Sequence, residues 1–395
     1  MIFREDSGAK AFFLGILLWG IGVGAFAAGL NNYLSDICKM NSVDRGVLEF
    51  FRELPGLVLV FILALLHKWS NWKVMRLGIW ISMAGAAFLL IPGNKLFIVS
   101  AIMVWSMGEH LVMPVRNAIA IEVARKGHEG ESLGYLAGIM NFGSVAGSLL
   151  VALLFFLGTR VFSAENTRLF QILFVVIFLL LTVSLISSRT PRGCSDAAKR
   201  PRLLFRKKFT LYYLLELFYG ARKQIFLTFA PYVLIREYDF PTASMALLFG
   251  IAAFVNIFAS PAVGKLSDRW GYRNVMIWDT VILFFVCLLY GYAGNLFPVK
   301  IAFWVVTINF LLDAVISTTA LATNLYVKTL SRDREELTST FSTGISINHL
   351  IAILFAPFGG WIWQKYGIGV LFSLAAVMAI GNTLLALCVP KEKKV

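Results

Sequence analysis

Long runs of apolar residues constrain the fold of this chain more than any other feature of its sequence. Many of these runs reach about 20 residues, the length that a helix needs to cross the apolar core of a bilayer. They do not alternate between apolar and polar residues, which argues against a transmembrane barrel. Charged residues make up only 15% of the chain, compared with about 25% in soluble domains. The sequence therefore predicts an all-α membrane protein with twelve transmembrane helices.

A basic segment in the middle of the sequence separates two halves of similar size. Residues 189–208 are rich in Lys and Arg and contain two prolines, so we predict a linker between six-helix bundles at 1–188 and 209–395. Residues 105–109 in the first half have a counterpart at 310–313 in the second. Duplicated six-helix halves are typical of secondary transporters whose substrate site lies near the middle of the membrane.

The distribution of basic residues predicts the orientation of the chain. Most of the 36 Lys and Arg fall in the linker, the terminal segments and the loops on the same side. The positive-inside rule then predicts cytoplasmic termini and a location in the plasma membrane, or in the inner membrane of a bacterium. Because topology accounts for the net charge of +14, we predict no nucleic-acid partner. The expected partners of a monomer are membrane lipids, protons and a small-molecule substrate.

One charged segment between two apolar runs carries a specific motif. Residues 264–273 read GKLSDRWGYR, which fits the pattern G-x-L-(S/A)-D-R-x-G-x-R and resembles the loop signature of the major facilitator superfamily. We expect Gly264 and Gly271 to permit a sharp reversal, and Asp268 to accept backbone N–H groups at a helix start. Residues 356–360 also resemble the end of the eleventh helix in that family. The first-half counterpart of the motif, 68–73, lacks the pattern.

This resemblance implies the fold of the superfamily, in which two pseudosymmetric bundles surround a cavity lined by the first, fourth, seventh and tenth helices. It also implies that residues in and near the motif act as conformational latches. The predicted gating residues are Arg52, Gly264, Asp268, Arg269, Gly271, Arg273 and Asp279. Arg52 shares one face of the second helix with Glu49 and Glu53, so these three charges are also candidates for a gate.

Several charged side chains lie inside predicted helices, where a charge costs about 2.5–3.5 kcal/mol at the bilayer centre. The residues predicted to bind substrate are Arg116, Arg222, Lys223, Glu216, Asn309 and Asn348. The residues predicted to carry or relay a coupling proton are Glu109, Asp313, Glu49, Glu53, His110 and His349. The alternative is that these charges form internal ion pairs, and for both histidines a packing role is the preferred interpretation.

Together these features predict a secondary transporter that moves a small polar, anionic or zwitterionic solute by alternating access, driven by a proton gradient. An exporter of amphipathic compounds is an alternative, because Gly134, Gly143 and Gly147 resemble the start of an antiporter motif. We interpret these glycines as packing residues. A non-transporting receptor or assembly factor is a further alternative.

The sequence contains no pattern that points to an enzyme. It has no phosphate-binding loop, which argues against ATP as the energy source, and we expect no cofactor. Its four cysteines are scattered, and its His and Glu residues lack the spacing of a zinc site. We therefore predict neither a metal centre nor a disulfide framework.

Overall fold

The computed structural model describes Phe3 and residues 8–66, 68–125, 128–188, 205–332 and 334–391. Within these ranges the chain is almost entirely helical. The first six α-helices are α1 Ala9–Asn32, α2 Ser42–Leu65, α3 Asn71–Phe88, α4 Lys95–Val123, α5 Glu129–Arg160 and α6 Asn166–Ser187. The others are α7 Thr210–Glu237, α8 Thr242–Trp270, α9 Tyr272–Leu296, α10 Val299–Ile316, α11 Ala320–Leu330, α12 Arg334–Tyr366 and α13 Ile368–Leu387.

Thirteen helices appear in the described ranges because the predicted tenth helix is divided in two. A 3₁₀ turn at Ser317–Thr319 separates α10 from α11. Nine segments are long and apolar enough to cross a membrane by length and composition, and α10 to α11 counts as one of them, Val299–Leu330. The nine do not include α2, α3 or α7, so the all-helical membrane fold is confirmed while the count of twelve spans stays a prediction.

The motif at 264–273 is mostly helical, which corrects the expectation of a ten-residue turn. Helix α8 continues to Trp270, so Gly264 lies inside a helix and Asp268 lies in its last turn rather than at a helix start. The reversal occurs at Gly271, whose φ of 80° lies in the region that favours glycine. Tyr272 then begins α9.

The predicted linker falls largely outside the described residues. Only its last four positions, 205–208, are described, and a short 3₁₀ turn at Lys207–Phe209 leads into α7. Contacts group the chain into one unit of Met1–Lys39, Phe51–Arg200 and Pro241–Phe254, and a second of Met40–Phe50, Pro201–Phe240 and Val255–Val395. We call these unit 1 and unit 2. The predicted bundle boundaries at 188 and 209 stay a prediction.

Unit 1 is held together by close approaches between helices. Helix α1 packs on α5 and α6, and α3 packs on α4. A Cβ atom added at Gly24 would lie 2.7 Å from the Cα atom of Ser144, so the backbones of α1 and α5 nearly touch. Trp105 is fully buried and stacks on Phe26 with 4.0 Å between ring centroids. Small and aromatic residues therefore form the interior of this unit.

Unit 2 packs α7 against α12 and α13, and α9 against α10 and α13. The start of α2 also belongs to this unit, where the hydroxyl of Ser42 donates to the carbonyl of Gly360 at 3.3 Å. A buried cluster at one end of the unit includes Phe209, Tyr212 and Tyr326. This packing leaves α7 in contact with neighbours on several sides, which positions the charged side chains described next.

Candidate functional site

The charged side chains of α7 point in two directions within unit 2. Arg222 is buried, and its Nη1 donates to Asp313 Oδ1 in α10 at 2.7 Å. The guanidinium also lies over the ring of Tyr219, 5.0 Å from its centroid. A buried guanidinium is stable only when it is paired and hydrogen-bonded, and Asp313 supplies that partner. The structure thus brings together a cation and a carboxylate that the sequence placed 91 residues apart.

The other face of α7 carries Glu216 and Lys223. Asn348 in α12 donates its amide to the Glu216 carboxylate. Gly220 lies between the two charged positions, and the side chain of Asn348 occupies the space that a larger residue would fill there. Lys223 is exposed, and it interacts electrostatically with Glu216 without a salt bridge among the described residues. This face therefore carries an exposed cationic group.

The 3₁₀ turn in the tenth span is bound by side chains from two other helices. The hydroxyl of Tyr219 in α7 donates to the carbonyl of Ser317 at 3.3 Å. The hydroxyl of Thr319 donates to Asp279 Oδ2 in α9. Asp279 was predicted to be a gating residue with Arg269 and Arg273, and that role stays a prediction; its hydrogen bond is to the 3₁₀ turn of the tenth span. Arg273 instead donates to the carbonyl of Leu387 at 2.7 Å.

Two further predicted residues of unit 2 lie in α10 and α12. Asn309 is buried and donates to the carbonyl of Val305 in its own helix at 2.9 Å. His349 follows Asn348 in α12 and is partly buried. Neither observation tests a role in transport, and both roles stay predictions.

In unit 1, Arg116 and Glu109 lie near each other along α4. Arg116 is partly buried and donates from Nη1 towards Met140 Sδ at 3.5 Å, and its Nε is buried without a hydrogen-bond partner among the described residues. Glu109 interacts with it electrostatically, with no salt bridge between them in the described part of the chain. Like Lys223, Arg116 is therefore a cation within a helix that has no salt bridge to a described carboxylate.

Two ion pairs lie along α2. Arg52 Nη2 lies 3.1 Å from Glu53 Oε1 in unit 1, and Arg45 Nη1 lies 2.5 Å from Glu49 Oε2 in unit 2. Arg45 and Glu49 are both buried. Sequence reasoning missed Arg45, although its spacing of four residues from Glu49 is the signal of a pair on one helix face.

His110 is buried and hydrogen-bonded within unit 1, and its packing role stays a prediction. Its Nδ1 lies 2.8 Å from the carbonyl of Ser106 and 3.1 Å from the Ser106 hydroxyl, which in turn donates to the carbonyl of Arg52 at 2.5 Å. These bonds hold the ring in a buried position between α4 and α2. They do not test whether it relays a proton.

Outside the spans, a buried carboxylate ties the end of the linker to the start of α12. Glu336 accepts from Lys208 at 2.6 Å, from Arg206, and from the backbone N–H of Arg332 at 2.8 Å. These donors lower the pKa of Glu336 from 4.5 to about 2, the Lys208 hydrogen bond being the largest cause. Lys208 also donates to the carbonyl of Leu330 at 3.1 Å.

Comparison with known proteins agrees with the helical membrane fold described above. The family model described as the Major Facilitator Superfamily matches residues 50–347. The structure of the nucleoside transporter NupG superimposes with a TM-score of 0.73 over 98% of this chain and 99% of that one, at 13% sequence identity. At this identity the likeness shows the fold.

Two curated proteins are similar in sequence over part of their length. The class H tetracycline resistance protein of Pasteurella multocida is 23% identical over 176 residues, which is 42% of this chain and 43% of that protein. The chromaffin granule amine transporter of Homo sapiens is 26% identical over 151 residues, 38% of this chain and 28% of that protein. The matches therefore span less than half of either relative.

Proposed function

Because the chain belongs to the Major Facilitator Superfamily of membrane transporters, we propose that it moves a small polar organic solute, anionic or zwitterionic, by alternating access coupled to a proton gradient. The observation that supports this proposal is the set of ionisable side chains within long helices of largely apolar sequence, with Arg222 and Asp313 paired at 2.7 Å. Charges in such positions are costly, and in membrane proteins they commonly mark substrate and ion pathways.

The cationic residues favour a substrate with a negative group. Lys223 is exposed on α7, and Arg116 has a buried Nε without a partner in the described ranges. Neither cation has a salt bridge to a described carboxylate. An anionic substrate group supplies the missing partner, and the nearby Glu216 and Glu109 favour a positive group on the same molecule. A zwitterion satisfies both requirements.

The carboxyl groups support proton coupling. Asp313, Glu216 and Glu109 all lie within helices of largely apolar sequence, and a buried carboxylate is costly unless it is paired or takes up a proton. When a substrate group or a proton replaces the internal ion-pair partner of a carboxyl group, the net charge within the helix changes. Coupling of solute and proton movement requires such a change. We also propose a location in the plasma or bacterial inner membrane with cytoplasmic termini, from the distribution of basic residues. The monomeric state stays a prediction.

Uptake into proteoliposomes tests this proposal. Labelled carboxylates, phosphates, amino acids and lipids are offered at two pH values, with and without a pH gradient. We expect accumulation of one anionic or zwitterionic class that depends on the gradient. Lys223→Gln should weaken uptake about tenfold or more, since a charged hydrogen bond contributes about 1.5–3 kcal/mol. The matched control, Lys300→Gln, removes an exposed lysine at the start of α10. Uptake that is independent of the gradient would count against the proposal.

Proton-driven export of amphipathic compounds is the second candidate, and the sequence relatives favour it. One relative is a tetracycline resistance protein and the other an amine transporter. Efflux of tetracycline and of an aromatic amine from preloaded vesicles discriminates the two functions. Selective loss of efflux in Glu109→Gln and Asp313→Asn, without any uptake of anionic solutes by the unmodified protein, would establish the exporter instead.

A further inference from the structure

The break in the tenth span places an irregular backbone next to the charged residues of unit 2. Helix α10 ends at Ile316 and α11 begins at Ala320. The 3₁₀ turn at Ser317–Thr319 between them interrupts the regular α-helical hydrogen bonding. Interrupted transmembrane helices commonly form ion and substrate sites in secondary transporters. Short 3₁₀ segments within a helix also often mark functional hinges.

Both sides of this turn are held by the groups that surround Arg222. Tyr219 contributes its hydroxyl to Ser317 and its ring to Arg222. Asp313 pairs with Arg222, and its backbone carbonyl accepts the N–H of Ser317 at the end of α10. Thr319 is bonded to Asp279 from α9. A change of charge in this cluster therefore acts directly on the turn.

The two aspartates of the cluster differ in what neutralises them. Asp313 has the Arg222 guanidinium at 2.7 Å. Asp279 accepts from the neutral hydroxyl of Thr319, contacts the backbone N–H of Thr280 and interacts electrostatically with Arg222 without a salt bridge to it in the described part of the chain. Its Oδ1 is buried and has no hydrogen-bond partner among the described residues. One guanidinium thus serves two carboxyl groups, and it is engaged by Asp313.

The other groups around Asp279 do not supply a second cation. Arg222 and Tyr219 face the cluster from α7, Asp313 faces it from α10, and Cys287 lies further along α9. Glu216 acts electrostatically on Tyr219 but lies on the other face of α7, beside Asn348 and Lys223. Helix α13 contributes a hydroxyl contact, 2.7 Å between Thr280 and Thr383. Among the described residues of these helices, the cluster holds more carboxyl groups than cations. A proton is the smallest cation that balances it.

We propose that Asp279 binds the coupling proton and that its charge controls the 3₁₀ turn through the hydroxyl of Thr319. A proton from water adds to the carboxylate and leaves it neutral, and its release restores the anion. The hydrogen bond from Thr319 is strong when Asp279 is ionised and weaker when it is neutral, since charge-assisted bonds are about twice as strong. This inference rests on the proposed transport function, and it replaces a gating role for Asp279 with a proton-carrying one.

Hydrogen–deuterium exchange of residues 314–323 tests the link between Asp279 and the turn without any substrate. The full-length protein in lipid nanodiscs is compared with Asp279→Asn at an acidic and an alkaline pH. The ratio of the two exchange rates at each pH removes the intrinsic pH dependence of amide exchange. We expect roughly fivefold faster exchange in Asp279→Asn at alkaline pH and equal rates at acidic pH. Equal rates at both pH values would overturn the proposal.

Matched variants separate this effect from general loosening. Thr319→Val should raise exchange at both pH values, whereas Thr329→Val, which removes a hydroxyl bonded within α11, should leave the turn unchanged. If Asp279→Asn fails to give a monodisperse protein, Asp279→Glu takes its place. The exchange rate of the turn in Asp279→Glu, divided by the rate in Thr319→Val, should then still change with pH. Protection of the turn by Na⁺ alone, lost in Asp279→Asn, would identify a sodium site and contradict proton binding.

Transport separates this inference from the proposed function. For a solute that the unmodified protein accumulates, Asp279→Asn should retain solute exchange and lose accumulation driven by the pH gradient. Accumulation that persists in Asp279→Asn overturns the role of Asp279 while proton coupling stands. Failure of the unmodified protein to transport any solute overturns the proposed function, and the exchange measurement still decides whether Asp279 controls the turn.

Discussion

At the scale of single residues, the structure shows that several charges predicted individually form specific ion pairs. The sequence showed that Arg222 and Asp313 lie inside apolar spans, but not that they bond to each other. The pairing depends on how α7 and α10 are rotated about their axes. Helix periodicity does not define that rotation here, because neither helix has one clearly apolar face opposite one clearly polar face. Tyr219 and Thr319 were not predicted, because hydroxyl groups inside helices carry no charge that would mark them in the sequence.

The Arg222–Asp313 pair leads to a prediction about stability. Asp313→Asn leaves a buried guanidinium without its counter-ion, so we expect a loss of about 3–5 kcal/mol of unfolding free energy. Replacing both partners with apolar residues, as Arg222→Met with Asp313→Leu, should cost much less. Thermal unfolding in detergent measures both, with Asp239→Asn in the loop after α7 as the control. A double variant that is as unstable as the single one would show that the pair is not the cause.

Glu336 leads to a prediction about pH. Its pKa is lowered in the folded protein from 4.5 to about 2, so its ion pairs stabilise the fold above about pH 4.5 and are lost as the pH falls towards 2. The difference in unfolding temperature between the unmodified protein and Glu336→Gln should therefore be constant near neutral pH and shrink over that window. Glu165→Gln, at the exposed start of α6, is the control. A difference that grows on acidification would refute the assignment.

At the scale of elements, glycine positions decide which helices approach closely. The glycines along α5 looked alike in the sequence, and the structure separates them. Gly143 faces Gly20 of α1, where an added Cβ would lie 2.8 Å from a backbone carbon, whereas Gly134 and Gly138 face open space. The packing interpretation of the Gly143 and Gly147 positions therefore agrees with the structure of unit 1. The break in the tenth span had no comparable signal, because residues 317–319 contain neither Gly nor Pro.

This difference between glycines predicts opposite outcomes for the same substitution in one helix. Gly143→Ala and Gly147→Ala should force α1 and α5 apart and cost about 1–3 kcal/mol, the usual penalty of overpacking. Gly138→Ala should be neutral or stabilising by up to about 1 kcal/mol, since alanine favours the helix. Thermal unfolding and the yield of monodisperse protein measure the effect. Equal tolerance of all three substitutions would contradict the close approach.

At the scale of the whole molecule, the sequence identified the class of protein better than it identified the site. Apolar length and the motif at 264–273 predicted a helical membrane protein of the superfamily, and both the fold and the family are confirmed. Those signals are averages over many residues. The ionic and hydrogen-bonded contacts depend on which side chains meet. Ser106 and Tyr219 were identified only through contacts in three dimensions, whereas Arg45 had a signal in its four-residue spacing from Glu49.

The central claim is that solute and proton movement are coupled, and the most direct measurement is proton flux caused by the solute. Protein is reconstituted into vesicles without a pH gradient, the transported solute is added outside, and the external pH is recorded. Proton symport predicts that the external medium becomes alkaline with the unmodified protein and with Lys300→Gln, and much less so with Lys223→Gln. Solute accumulation in the vesicles with no change in external pH would contradict the account.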